Sequence, residues 1–300
     1  MPPPAWRAAD ICLDCWRIPW TGDVDKELWR WLDGPGIALL TGLPVNGVDV
    51  EEAARLAQAV AGRFGEVQPQ DWNENLTYVV RDEGQVIGME AGMIASCVAS
   101  SSKSRERLLL HNDSAPRWVS PESVDLLAML AVRSAMSGGE TILVSARAVW
   151  EEIGRVDPHA ARVLQRPFPF NRSSDSLPPS EPDHTWGPVF QADGEWFTVR
   201  CNRFRIETAA RDLDEPLDSD QVGALDLVDS ILARPEFQLR FTVQPGECLV
   251  IDDRTVVHAR NSFRDPPAPA PGRCLIRVWV NRREQCGTGA AGAAGVSQVR

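Results

Sequence analysis

The sequence predicts an α+β protein with a jelly-roll-like double sheet at its core and flanking helices as buttresses. Two observations carry that expectation. Short apolar runs separated by tight turns crowd the last third of the 300 residues, and helical patterns with capping signals are confined mainly to one end of the chain. No internal repeat interrupts the pattern, so residues 1–286 are expected to form a single domain.

From the N-terminus, residues 25–32 place Leu28, Trp31 and Leu32 on one helical face. Gly36-Ile-Ala-Leu-Leu40 is an apolar run between Gly and Pro breakers, too short for a helix and long enough for a buried strand. Asp49 with Glu52 three residues on is a capping-box signal. The stripe Ala53, Leu56, Ala57, Val60, Phe64 follows it, and Gly65 is the expected stop. Residues 77–80 read as a strand. Residues 84–107 are small and polar and read as a loop.

In the middle, residues 124–133 are strand-like, Ser137-Gly138-Gly139 makes a turn, and residues 140–144 return, which predicts a hairpin. Ser145 caps a helix reaching Ile153. Residues 172–188 are rich in Pro and Ser without periodicity, a surface loop. Residues 197–201 form a strand, and Asp218 with Gln221 opens a helix to about Ala233. Strands are then expected at 239–243, 248–251, 256–258 and 274–280, with a turn at Gln244-Pro-Gly-Glu247. Residues 287–300 are Gly/Ala-rich with no core-forming pattern, and a disordered tail is expected there.

Composition excludes several classes of function. Lys and Arg number 31 against 42 Asp and Glu, a net charge of −11 that disfavours nucleic acid and anionic membranes as partners. No run of 18 apolar residues occurs, so no transmembrane helix is expected. The opening Met1-Pro-Pro-Pro-Ala-Trp6 lacks the order of a secretory signal, which points to a cytoplasmic protein with a small-molecule or protein substrate. The seven cysteines are scattered. Cys12 and Cys15 form one C-x-x-C pair with no second pair for a zinc ribbon, so reduced structural thiols are expected.

Four histidines can be weighed one by one. His159 sits at a helix start among polar residues and reads as a solvated side chain. His184 lies in the Pro-rich loop beside Trp186. His111 and Asp113 follow three leucines at i and i+2, which in a strand puts both on one face. His258 follows a strand–turn–strand unit where packing would ordinarily place another valine or leucine. Two His and one carboxylate form the ligand set of a facial-triad Fe(II) site, and zinc takes the same trio. Downstream, period-2 alternation puts Arg273, Leu275, Arg277 and Trp279 on one face and Cys274, Ile276, Val278 and Val280 on the other. With the apolar face against helices, two arginines point together into the barrel mouth. Buried guanidinium groups without acid partners are costly, so an anion is expected there. The alternative is that Arg273 pairs with a core acid and Arg277 lies exposed.

His111-x-Asp113, Gly138-Gly-Glu-Thr141, Pro245-Gly-Glu, Asp253-Arg-Thr-Val-Val-His258-Ala-Arg and Arg273-x-x-x-Arg277 occur in an order that resembles the 2-oxoglutarate-dependent Fe(II) dioxygenases of the taurine dioxygenase and clavaminate synthase-like superfamily. The resemblance runs from about Gly36 to Asn281. It implies a double-stranded β-helix, Fe(II) held by His111, Asp113 and His258, and 2-oxoglutarate and O2 as cosubstrates. It implies that Thr141 and Arg273 hold the distal carboxylate of 2-oxoglutarate, and that Arg277 anchors an acidic group of the substrate. Asp113 follows the taurine dioxygenase pattern, whereas the spacing from His258 to Arg273 is closer to the clavaminate type. With a carboxylate ligand present, the resemblance favours hydroxylation, desaturation or epoxidation over halogenation.

Loops 84–107 and 172–188, with His184 and Trp186, are expected to form a lid, and Asn202 and Arg203 are further substrate-binding candidates. The expected substrate is a small amino acid, an amino-acid-derived intermediate or a short cyclic peptide of natural-product type. Three other readings stay open on the sequence. They are a zinc hydrolase using the same trio, a non-catalytic jelly-roll metal- or ligand-binding protein, and an oxygenase that modifies a partner chain.

Overall fold

A computed structural model describes residues 4–12, 14–71, 73–84, 102–113, 124–172, 183–193 and 196–282. The expected tail 287–300 lies outside these residues, as do most of the loop 84–107 and residues 173–182 of the second loop.

Local signals set the first elements. Strand β1 (Arg17–Pro19) pairs in parallel with β2 (Ile37–Thr41). Between them, the Asp25 carboxylate accepts the N–H groups of Glu27 and Leu28 to start α1 (Lys26–Asp33), which buries Leu28 and Leu32. The Asp49–Glu52 capping box forms in both directions, at 2.8 and 3.2 Å, and opens α2 (Val50–Ala61). Gly62, not Gly65, closes that helix. Gly65 instead begins β3 (Gly65–Gln68), where a Cβ would collide with the carbonyl of Asn281. Strand β4 (Tyr78–Val80) follows, then β5 (Leu108–His111) and β6 (Leu126–Arg133).

The expected hairpin at Ser137–Gly139 is not formed. After β6, Gly138 and Gly139 turn the chain at φ +73° and +76°, and the short β7 (Ser137–Gly138) pairs with β16 (Phe263–Arg264). The chain then enters β8 (Thr141–Ser145) in a different sheet. A glycine turn reverses direction but does not choose a partner. The long apolar run of β6 is instead flanked on both edges by other strands.

Helices α3 (Ala146–Val156), capped by Ser145, and α4 (Pro158–Val163), capped by Asp157, come next. Strands β9 (Phe168–Asn171) and β10 (His184–Gly187) form an antiparallel pair, so the end of the segment expected as a loop is strand. Strands β11 (Phe190–Asp193) and β12 (Trp196–Val199) form another pair. Helix α5 (Arg203–Asp212) was not expected from the sequence; its buried stripe is only Ile206, Thr208, Ala209 and Ala210. Helix α6 (Ser219–Leu232) follows its Asp218–Gln221 capping box, and β13 (Leu239–Phe241), β14 (Cys248–Asp252), β15 (Val256–Arg260) and β17 (Cys274–Arg282) complete the chain.

Two sheets result. One has the order β1-β2-β14-β6-β17-β3, with β4 following β3 along the same edge of β17, and the other has the order β13-β8-β15-β5. Alternation sorts their side chains. Cys274, Ile276, Val278 and Val280 of β17 pack with Leu28, Leu32, Ala57 and Val60 under α1 and α2. Ile142, Val144, Val257 and Ala259 of the second sheet pack outward against α3, α4 and α6. The inner faces meet in one core: Leu39, Leu127, Ile251, Leu275 and Trp279 from the first sheet, and Leu143, Leu239 and Val256 from the second. Each fully buried Leu or Ile contributes about 1.5–3 kcal/mol relative to exposure. The same period-2 logic therefore turns Thr141 and His258 inward from the second sheet, and Arg273 and Arg277 inward from the first.

Cys12 and Cys15 are joined as a disulfide, which corrects the expectation of reduced thiols at this pair. A turn from Cys15 N–H to the Cys12 carbonyl at 3.0 Å brings their Cα atoms to 5.3 Å. Cys201, Cys248 and Cys274 are free and buried, and burial pushes the Cys201 and Cys248 thiols up to about 12. No helix among the described residues is long and apolar enough to cross a membrane.

Candidate metal centre

His111 ends β5 and His258 stands opposite it on β15, with a β-bulge following toward Arg260. Their rings are 4.4 Å apart. The residue between the first two candidate ligands sets their direction. Asn112 is fully buried; its N–H donates to the Cys201 carbonyl at 3.0 Å, and its Oδ1 accepts the Cys201 N–H at 2.6 Å. Next to it, the Asp113 N–H donates to Oδ1 of buried Asp253 at 3.0 Å. The pinned backbone leaves Asp113 Oδ1 3.3 Å from His111 Nε2 and 3.7 Å from His258 Nε2. Ligand atoms of the three residues all lie within 4.8 Å of one another.

These donors fit a first-row divalent ion. Ligand bonds of about 2.0–2.2 Å to nitrogen and oxygen place neighbouring donors roughly 3 Å apart, and two imidazoles with one carboxylate leave other positions open. The Nδ1 of His111 lies 2.8 Å from the Leu109 carbonyl, so Nδ1 carries the proton and Nε2 presents its lone pair. The charges agree with this arrangement. Burial opposes ionisation of Asp113, but Arg277 and the two imidazoles hold its carboxyl well below the usual range. Burial also opposes the charged form of His111, but the hydrogen bond and charge of Asp113, the Leu109 carbonyl and the charge of Asp253 together raise its value. Burial, followed by the neighbouring His111, drives His258 down to about 3.

Arg273, just before β17, and Arg277, within it, part company, and Arg277 departs from the expectation of guanidinium groups without acid partners. Arg277 has an acid partner, Asp113, with Nη1 2.8 Å from Oδ2. Its Nε donates to Gln70 Oε1 at 2.8 Å, and its guanidinium lies 4.6 Å from the Tyr78 ring and 4.8 Å from the Trp279 ring. Arg273 is the one left with a vacant donor. It is 7% exposed, its Nη1 has no hydrogen-bond partner, and burial lowers it to about 10. Arg273 lines a pocket with Thr141, Gly138, Gly139, Arg133 and Ser134.

The other candidates are held elsewhere. Asn202 caps α5 through the Arg205 N–H. Arg203 is engaged by Glu207, Asp226 and Asp229 at 2.6–2.7 Å, so its charge is already matched. His184 lies on β10 with Nε2 3.8 Å from Asp212, and Trp186 on the same strand is half exposed. None of the four makes a hydrogen bond or ion pair with the three candidate ligands. Sequence reasoning missed Asn112, Asp253 and Gln70. Asn112, between the first two candidate ligands, and Asp253, which opens the motif that contains His258, carried a signal; Gln70 did not.

The chain from residue 4 to residue 279 matches the taurine catabolism dioxygenase TauD, TfdA family. FR-33289 synthase of Streptomyces rubellomurinus is 25% identical over 253 residues, covering 83% of this chain and 69% of the relative. A uridine-5'-phosphate dioxygenase from a Streptomyces species is 27% identical over 239 residues, covering 76% of this chain and 80% of the relative. Among solved structures, asparagine oxygenase with Fe(II), 2S,3S-3-hydroxyasparagine and succinate aligns at TM-score 0.62 and 20% identity, over 84% of this chain and 76% of that one. The non-heme iron oxygenase OrfP with Fe and alpha-ketoglutaric acid aligns at TM-score 0.57 and 16% identity, over 82% and 74%. At these identities the structural likeness is one of fold.

Proposed function

The chain belongs to the TauD/TfdA dioxygenases, enzymes of ferrous iron, 2-oxoglutarate and O2, and on that premise we propose that it oxidises an unactivated C–H bond of a small amino-acid-derived or cyclic-peptide intermediate by hydroxylation, desaturation or epoxidation. In this reading the two facing sheets are a double-stranded β-helix, and His111, Asp113 and His258 hold the iron on its inner face. One observation carries the reading. Ligand atoms of the three residues lie within 4.8 Å of one another, and a buried arginine, Arg273, keeps an unpartnered N–H in a pocket that it lines with Thr141.

Bound iron and 2-oxoglutarate together supply O2 activation coupled to oxidative decarboxylation of the cosubstrate to succinate. The chain's own residues position and desolvate. Arg273 meets the distal carboxylate of 2-oxoglutarate with its guanidinium fork, and the Thr141 hydroxyl adds a hydrogen bond. Arg277, steadied by Gln70 and flanked by Tyr78 and Trp279, turns its remaining N–H groups to an acidic group of the substrate. An anionic substrate suits both sets of relatives, since amino acids and uridine-5'-phosphate each carry such a group.

Anaerobic addition of Fe(II) and 2-oxoglutarate tests the reading. Chelation gives a weak visible band near about 500 nm, and Arg273→Ala shifts its half-saturation to higher 2-oxoglutarate. Intact protein without a band overturns the proposal. Succinate release across a panel of amino acids, cyclic dipeptides and nucleotides then identifies the substrate.

A further inference from the structure

We propose that Trp279 is a positioning residue for the metal centre, acting through Asp113. The inference rests on the reading that His111, Asp113 and His258 hold the metal. The two oxygens of Asp113 have different surroundings. Oδ1 faces the imidazoles, 3.3 Å from His111 Nε2 and 3.7 Å from His258 Nε2. Oδ2 accepts two N–H groups, Arg277 Nη1 at 2.8 Å and Trp279 Nε1 at 3.0 Å. With two donors on Oδ2, the carboxylate presents Oδ1 alone. A one-point ligand keeps open a coordination position that a chelating carboxylate would fill, and a dioxygenase needs that position for its cosubstrates.

Of the two donors, Trp279 is the constant one. Arg277 is shared with Gln70 and, in the proposed function, with the acidic group of the substrate. The indole has a single N–H to give, and its ring is wedged between the sheets with Leu275 and Leu127 at 5% exposure. Substrate that draws on Arg277 therefore leaves Asp113 still aimed.

Trp279→Phe keeps the ring and removes the N–H. Anaerobic calorimetry with Fe(II), and with Zn(II) as a redox-inert probe, is expected to show affinity weakened about 10–100-fold, the range for a lost hydrogen bond to a metal ligand. Trp16→Phe is the control, because Trp16 is fully buried and its Nε1 has no partner; it leaves affinity unchanged. Unchanged affinity in Trp279→Phe, where His111→Ala abolishes binding, overturns the inference alone. Retained affinity in His111→Ala removes the metal reading and this inference with it. If Trp279→Phe fails to fold, 15N-tryptophan labelling of the unmodified chain decides. The Trp279 indole N–H signal shifts on Zn(II) addition while that of Trp16 stays, and a stationary Trp279 signal overturns the proposal.

Discussion

His111 and His258 are direct partners across the β5–β15 ladder, with ring centroids 4.4 Å apart and planes inclined by 45°. Strand pairing thus builds the site from residues remote in sequence, and each imidazole projects from a backbone anchored on its neighbour strand. His111 is 14% exposed at its side chain and contributes little apolar packing. His111→Ala is therefore expected to abolish Fe(II) binding while thermal unfolding stays within a few degrees of the parent. Calorimetry and circular dichroism on one sample check both halves.

Metal affinity should depend on pH through His111. Its value is raised by Asp113, whereas His258 at about 3 stays neutral across the accessible range. A proton on His111 competes with the ion, so affinity is full above its pKa and falls about tenfold per unit below it. Zn(II) titrations from pH 8 to pH 5.5 should show that slope; a flat profile would exclude His111 as a ligand.

Gly139 holds φ +76°, and a Cβ there would meet Arg273 Nε and Phe263 Cβ, both at 3.4 Å. Gly139→Ala adds backbone strain of about 1–2 kcal/mol and presses on the arginine. Weaker 2-oxoglutarate binding is expected, with Fe(II) affinity nearly unchanged. A quenched-fluorescence titration separates the two.

Removing the Arg273 guanidinium should raise the 2-oxoglutarate Kd by about 30-fold or more, corresponding to about 2 kcal/mol or more for a buried charge pair. Arg277→Ala should act differently from a simple substrate-binding variant. It takes one donor from Asp113, so weaker metal binding accompanies slower substrate-dependent succinate release. Unaltered metal affinity in Arg277→Ala would mean that the Asp113 contact does not matter to the ion.

Glu152 is buried under Arg155 and Arg234, at 2.8 and 2.6 Å, and hydrogen bonds from Arg155 first, then Arg234, pull its carboxyl down to about 2. A folded value below the ordinary 4.5 means that these bonds stabilise fully above pH 4.5 and are lost as pH falls toward 2. Glu152→Gln should lower the urea midpoint clearly at pH 7, and the gap to the parent should narrow by pH 3.

Where both halves of a signal lie within one turn of chain, the sequence was readable. The Asp49–Glu52 and Asp218–Gln221 boxes formed as expected, because each needs only atoms three residues apart. The alternation in β17 was readable too, since period 2 is a property of one strand. Partner choice was not. The glycine turn after β6 gave no hint that β8 would join another sheet, and the polar, weakly striped α5 hid its Asn202 cap. For the site, residue types pointed to the three candidate donors, but the Asp113–Arg277 pair spans 164 positions and exists only after both sheets close. The Cys12–Cys15 bridge depends on a local turn that composition does not encode.

Strand β17 carries Arg277 and Trp279, directly follows Arg273, and is the final strand among the described residues. Translation therefore delivers these three side chains after His111, Asp113 and His258 have emerged. A chain cut at residue 272 would lose β17, the strand that joins β6 to β3 and β4, so the first sheet could not close and Asp113 would lose both donors to its Oδ2.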